Sequence, residues 1–113
     1  MIQFNSKTFV EGEMGTIEEK VYEYLKLIPS GKVVTYGQIA EYLGNKNLAR
    51  VVGNILHKNP DEKKYPCYKV VDRNGNLSKN FAFGGIEGQK KKLEDDGVEV
   101  AGYNVDLKKY KMR

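Results

Sequence analysis

Cys67 is the side chain in this sequence best suited to covalent chemistry, and it sits in the constrained run Tyr65-Pro66-Cys67-Tyr68-Lys69-Val70-Val71. A thiolate is a strong nucleophile even as a minor species near neutral pH. Pro66 has no amide donor and holds its predecessor extended, which fixes the approach to the thiol. Lys63, Lys64 and Lys69 surround the cysteine; Lys64 and Lys69 are near enough in sequence to favour the thiolate where they also lie close in space. A lone cysteine is equally at home as a small core residue, so residue type alone leaves both roles open. His57, the single histidine, reads as a helix-end surface residue. One cysteine and one histidine can build neither a disulfide nor a four-ligand zinc site, so no metal is expected and the setting is reducing.

The elements that must hold these groups are mostly helical. Thr16 followed by Glu19 is a capping box, and Ile17, Val21, Leu25 and Ile28 recur at helical spacing, giving a first helix over residues 16–27 that Pro29-Ser30-Gly31 stops. Thr35 repeats the signature with Gln38, and Ile39, Ala40 and Leu43 supply an apolar face that ends at Gly44. Asn47 is then placed to cap a third helix carrying Leu48, Val51, Val52, Ile55 and Leu56, stopped by Asn59-Pro60. Lys32 to Val34 is too short to predict an independent strand. Two short helices across a glycine-containing turn form a helix-turn-helix candidate. Residues 72–76 form a turn, and residues 86–95 are helix-compatible although Gly88 weakens the pattern.

Charge points in the same direction without deciding it. The 113 residues carry 19 basic and 15 acidic side chains, a net charge of +4 that leans toward a polyanionic partner. Lys46 and Arg50 flank the start of the third helix, and Glu11, Glu13, Glu18 and Glu19 gather at the other end, away from any phosphate backbone. The length suits one domain on the prior of roughly 100–200 residues. No run approaches the roughly 18 apolar residues of a membrane span, and the first residues lack an apolar signal core. The chain reads as cytoplasmic, with no membrane partner.

The segment from Ile28 to Val71, containing IPSGKVVTYGQIA, LARVVGNILHKNP and PCYKVV, resembles the C-terminal DNA-binding domain of the O6-alkylguanine-DNA alkyltransferases, whose motif is usually Pro-Cys-His-Arg. The likeness continues more weakly through Gly84-Gly85-Ile86 to Asp96-Gly97. It implies a mostly α fold with short strands, a winged-helix-like helix-turn-helix domain occupying residues 1–113, with an N-terminal arm or strand at 1–15 and a C-terminal extension at 98–113. Through the resemblance, Cys67 matches the alkyl-accepting cysteine. Arg50 matches the recognition-helix arginine that fills the gap left by a flipped nucleotide in a minor-groove complex. Tyr36 matches the tyrosine that crowds the flipped nucleotide's backbone, Asn59 the asparagine that orders the active-site turn, and Val70 a position whose backbone contacts guanine.

The sequence also departs from that pattern. Tyr68 replaces the family histidine that helps activate the thiol, Lys69 replaces the arginine, and Asp96 matches the glutamate that would orient the missing histidine. Phe81, Ala82 and Phe83 occupy the loop where a tyrosine commonly donates to the base; Phe81 and Phe83 can stack on guanine but cannot donate. The additional N-terminal domain of many members is not represented, and the tail GVEVAGYNVDLKKYKMR looks like that of the alkyltransferase-like proteins, which bind alkylated guanine without repairing it.

The resemblance therefore implies a monomer that binds double-stranded DNA containing O6-alkylguanine, flips the base and transfers its alkyl group to Cys67 once per molecule, without a cofactor. The alternative is a non-enzymatic sensor that flags the lesion for nucleotide excision repair proteins. A helix-turn-helix regulator is a weaker third reading, since such proteins read bases with several polar side chains and the third helix offers few.

Overall fold

The computed structural model describes residues 15–113; residues 1–14 of the expected arm lie outside them. Helix α1 spans Ile17–Leu25 and starts as the sequence predicts. The Thr16 hydroxyl accepts from the Glu19 amide at 3.1 Å, and the Glu19 carboxylate accepts from the Thr16 amide at 2.8 Å. The helix ends two residues earlier than expected. The amides of Lys26 and Leu27 reach back only three residues, to Glu23 and Tyr24, so the last turn tightens before Pro29.

Helix α2, Tyr36–Tyr42, opens on the second capping box, with Thr35 and Gln38 exchanging bonds of 3.1 and 2.9 Å. Gly44 adopts φ +95°, the left-handed conformation that closes a helix. A single 3-10 turn, Lys46–Leu48, precedes α3, Ala49–His57. The expected cap, Asn47, is not the cap: α3 has Leu48 at its N-cap position and no side-chain cap, and the capping side chain belongs to the 3-10 turn instead. The Asn45 side chain fills that role by accepting from the Asn47 amide at 2.9 Å, because the 3-10 turn is inserted ahead of the helix. Val52, Ile55 and Leu56 bury the inner face of α3, and the Tyr22 hydroxyl donates to the Ile55 carbonyl at 2.8 Å to tie α1 to it.

Two strands of two residues each, β1 (Val34–Thr35) and β2 (Val70–Val71), pair in parallel with Val34 opposite Val70 and Thr35 opposite Val71. All four residues are buried. Strands this short have no periodic signal, which is why the sequence predicted none at Val34; burial on both faces favours their β-branched types. The pair has a positional consequence. It joins the start of α2 to the 3-10 turn Cys67–Lys69, which leads directly into β2.

Helix α4, Gly85–Asp95, packs against the Cys67 turn, and a short helix α5, Leu107–Tyr110, follows the residues beyond it. Gly88 is a requirement of this packing rather than a weakness in the helix. A Cβ there would stand 2.3 Å from the Phe83 carbonyl oxygen. One apolar cluster lies between α1, α2, α3 and Cys67; a second gathers Val33, Val71, Leu77 and Leu93 with Val98, Val100 and Val105. Residues 98–113 are thus built into the body of the fold, and the tail is held by Met112 donating to Val33 at 2.8 Å and by Gln38 donating to the Met112 carbonyl at 2.8 Å. Among the described residues no helix is long and apolar enough to cross a membrane, and no three His, Cys, Asp or Glu side chains gather as a metal site.

Candidate functional site

A cleft of about 610 Å³ opens beside α3, with Cys67 and Val70 contributing to its lining. Gly53, Asn54 and His57 line it from α3, Tyr36 from the start of α2, and Ser78, Asn80 and Phe81 from the loop after β2. Asn54 and His57 stand four and seven residues after Arg50, so the arginine lies on the same helical stripe as the cleft-lining residues. Arg50 and Lys46 are exposed and outside the cleft itself.

Cys67 is only 4% exposed as a residue. Its turn is held by Asn59, whose amide donates to the Tyr65 carbonyl at 2.7 Å while its oxygen accepts from the Asp61 amide at 3.0 Å. Asn59 also hydrogen-bonds the thiol. Tyr65, two residues before the cysteine, stacks on Tyr22 with ring centroids 4.9 Å apart. Burial pushes the thiol pKa up; the Asn59 hydrogen bond, a backbone bond and Lys92 pull it down, Glu62 adds to the rise, and burial wins.

The lysines expected to favour the thiolate do not serve it. Lys64 lies over the Tyr65 ring, 5.3 Å from its centroid, and Lys63 is exposed. Lys69 is buried and turns away to the carbonyls of Ile28 and Pro29, each at 3.2 Å, and to the Asp96 carboxylate at 3.4 Å. A buried ammonium needs several acceptors, and these are supplied at the turn after α1 rather than at the thiol. The cation acting on Cys67 is Lys92, part of the basic run 90–92 that the sequence did not connect with the thiol, and Glu62 holds it at 2.7 Å.

Asp96 is equally committed. Besides Lys69 it accepts from the Ser30 hydroxyl at 2.9 Å and the Gly31 amide at 3.0 Å, so it fastens the Pro29 turn to the Cys67 turn. Tyr68 is half-buried; burial first, then the charges of Asp96 and Asp95, keeps its phenol protonated beyond its ordinary range.

Phe81 lines the cleft, whereas Phe83 does not; it packs edge-on against Phe81 at 5.8 Å between centroids. The Tyr36 phenol is pushed up by burial, opposed by a hydrogen bond with the Ser78 side chain. Five polar cleft residues escaped sequence reasoning as site residues: Asn54, His57, Ser78, Asn80 and Gln89. For Asn54 and His57 the helical spacing from Arg50 was the available signal. Gln89 had none, because its burial depends on segments far away in the chain.

These features agree with what the chain is similar to. The family described as the DNA-binding domain of 6-O-methylguanine DNA methyltransferase matches residues 16–98. Alkyltransferase-like protein 1 of Schizosaccharomyces pombe is 40% identical over 93 residues, covering 82% of this chain and 84% of that protein. A bifunctional methyltransferase/endonuclease of Picrophilus torridus is 38% identical over 80% of this chain, but the matched part is 30% of its own length. A methylated-DNA--protein-cysteine methyltransferase of Shigella flexneri is 38% identical over 71% of this chain and 46% of its length. Among solved structures, that of S. pombe Atl1 in complex with damaged DNA containing O6-carboxymethylguanine superposes with a TM-score of 0.80 at 34% identity, covering 90% of this chain and 99% of that one. The Pyrococcus kodakaraensis O6-methylguanine-DNA methyltransferase gives 0.65 at 38% identity, covering 74% and 47%. Because the family match runs from the cap of α1 through the helix-turn-helix and the Cys67 turn to the end of α4, the chain belongs to the family of the 6-O-methylguanine DNA methyltransferase DNA-binding domain.

Proposed function

We propose that this protein binds duplex DNA containing O6-alkylguanine, rotates the modified base into the cleft beside α3 and accepts its alkyl group on Cys67. The observation that carries the reading is the presence of the one nucleophilic thiol in the lining of a cleft bounded by the recognition helix. Arg50 enters the duplex where the base has left, Tyr36 crowds the nucleotide's backbone, and Val70 and Phe81 meet the guanine. Lys46 contacts phosphate. Asn59 holds the turn that presents the thiol.

In the transfer step Cys67 loses its proton and the sulfur attacks the alkyl carbon. The carbon–oxygen bond breaks, a thioether forms, and the released guanine recovers a proton on its ring. A thioether is a poor leaving group, so each molecule reacts once. The step is slow here, since the thiol pKa is raised by burial and Tyr68 is not a base at neutral pH. Those same observations, together with the likeness to the S. pombe alkyltransferase-like protein, favour a second reading in which the protein recognises the lesion without repairing it and repair proteins act afterwards.

Intact-protein mass spectrometry after incubation with an O6-methylguanine duplex separates the two. The transfer reading predicts a gain of one methylene mass that disappears in Cys67→Ser. An unchanged mass with a stable complex selects the sensor.

A further inference from the structure

Gln89 is 1% exposed although it belongs to a helix rich in charge, and its side-chain amide is used in full. Its oxygen accepts from the Ser78 amide at 2.8 Å, while its nitrogen donates to the carbonyls of Tyr68 at 3.0 Å and Val70 at 2.9 Å. One side chain therefore joins the two walls of the cleft: the Cys67 turn running into β2, and the loop that carries Ser78, Asn80 and Phe81. The linkage continues, because the Ser78 hydroxyl accepts from the Asn80 amide at 3.2 Å. The Val70 carbonyl has two lone pairs. Gln89 takes one of them, which fixes the direction of this carbonyl at the wall of the cleft.

Resting on the lesion-binding reading above, we propose that Gln89 is a positioning residue for base discrimination: its amide sets the separation of the cleft walls and the direction of the Val70 acceptor. Affinity for an extruded O6-alkylguanine then passes through Gln89. Affinity for duplex phosphates does not, because Lys46 lies on the 3-10 turn ahead of α3 and none of the Gln89 hydrogen bonds reaches that turn.

The test compares the full chain with Gln89→Met and Gln89→Glu on two duplexes that differ only in O6-methylguanine or guanine at one position. Methionine keeps the length and removes every hydrogen bond. Glutamate keeps the acceptor for Ser78 but turns an unprotonated oxygen toward two carbonyls. Both variants are expected to lower the preference for the lesion by about tenfold while changing the undamaged affinity little, since a polar site that loses a partner discriminates far less. Lowering the pH through the carboxyl range should restore part of the preference in Gln89→Glu, by returning a donor, and none in Gln89→Met.

Equal losses on both duplexes, or loss of the fold in both variants, would assign Gln89 to stability and overturn the proposal. A wild-type preference that survives both substitutions would overturn it alone. A wild type without preference would overturn the lesion reading and this role with it.

Discussion

A buried thiol without a basic partner ionises late, and that governs the chemistry expected of Cys67. Its pKa is raised, so the thiolate that reacts is fully suppressed at low pH and grows as pH climbs through the folded value. Single-turnover transfer rates should therefore still be increasing above the usual thiol pKa of about 8.5, and a profile that levels off below it would contradict the burial argument. Restoring the family histidine should not repair the defect. Asp96 already holds Ser30, Gly31 and Lys69, so a Tyr68→His imidazole would find its orienting carboxylate occupied. The rate of Tyr68→His is expected to stay within about threefold of wild type at neutral pH, well short of the roughly hundredfold that an assisting base contributes. At this scale the sequence pointed through a motif to Cys67 and Tyr36, which line the cleft, to Asn59, which holds the Cys67 turn, and to Arg50, which lies exposed outside the cleft. It misplaced the role of Lys69, because which acceptors a lysine reaches depends on a turn about forty residues earlier in the chain.

The helices were legible where local chemistry fixes them. Both capping boxes form at Thr16 and Thr35, since each is a reciprocal bond between residues three apart. The elements set by tertiary contact were not. The β1–β2 pair joins residues 34–35 to 70–71 and rests on burial of four β-branched side chains, and the Asn45 cap depends on a 3-10 turn that no hydrophobic period announces. Gly88 illustrates the difference between propensity and packing. Alanine there would favour the isolated helix by about 1 kcal/mol, yet its Cβ would meet the Phe83 carbonyl at 2.3 Å. Gly88→Ala is accordingly expected to destabilise the protein by about 1–3 kcal/mol and to displace the loop bearing Phe81. A denaturation midpoint equal to or above that of wild type would show that the loop yields without penalty.

In the whole molecule, the parallel strand pair places a thiol beside the recognition helix, and the second apolar cluster, completed by Val98, Val100 and Val105, supports the turn from beneath. The fold class was readable because helix-turn-helix spacing and the cysteine motif occur in a specific order; the integration of the tail was not, since its apolar residues pack on Val33, Val71 and Leu93 from distant segments. Lesion recognition in this cleft depends on extrusion of the base from the duplex. It is tested most directly by titrating duplexes with and without O6-methylguanine, a fluorescent base analogue opposite the lesion, using wild type and Arg50→Ala. Flipping costs a few kcal/mol in stacking and pairing, so losing the side chain that fills the gap should weaken lesion binding by about ten- to a hundredfold. Wild type should give a flipping signal and tighter binding on the damaged duplex, both largely lost in Arg50→Ala, with undamaged binding nearly unchanged. Equal wild-type affinity for the two duplexes with no flipping signal would contradict base extrusion.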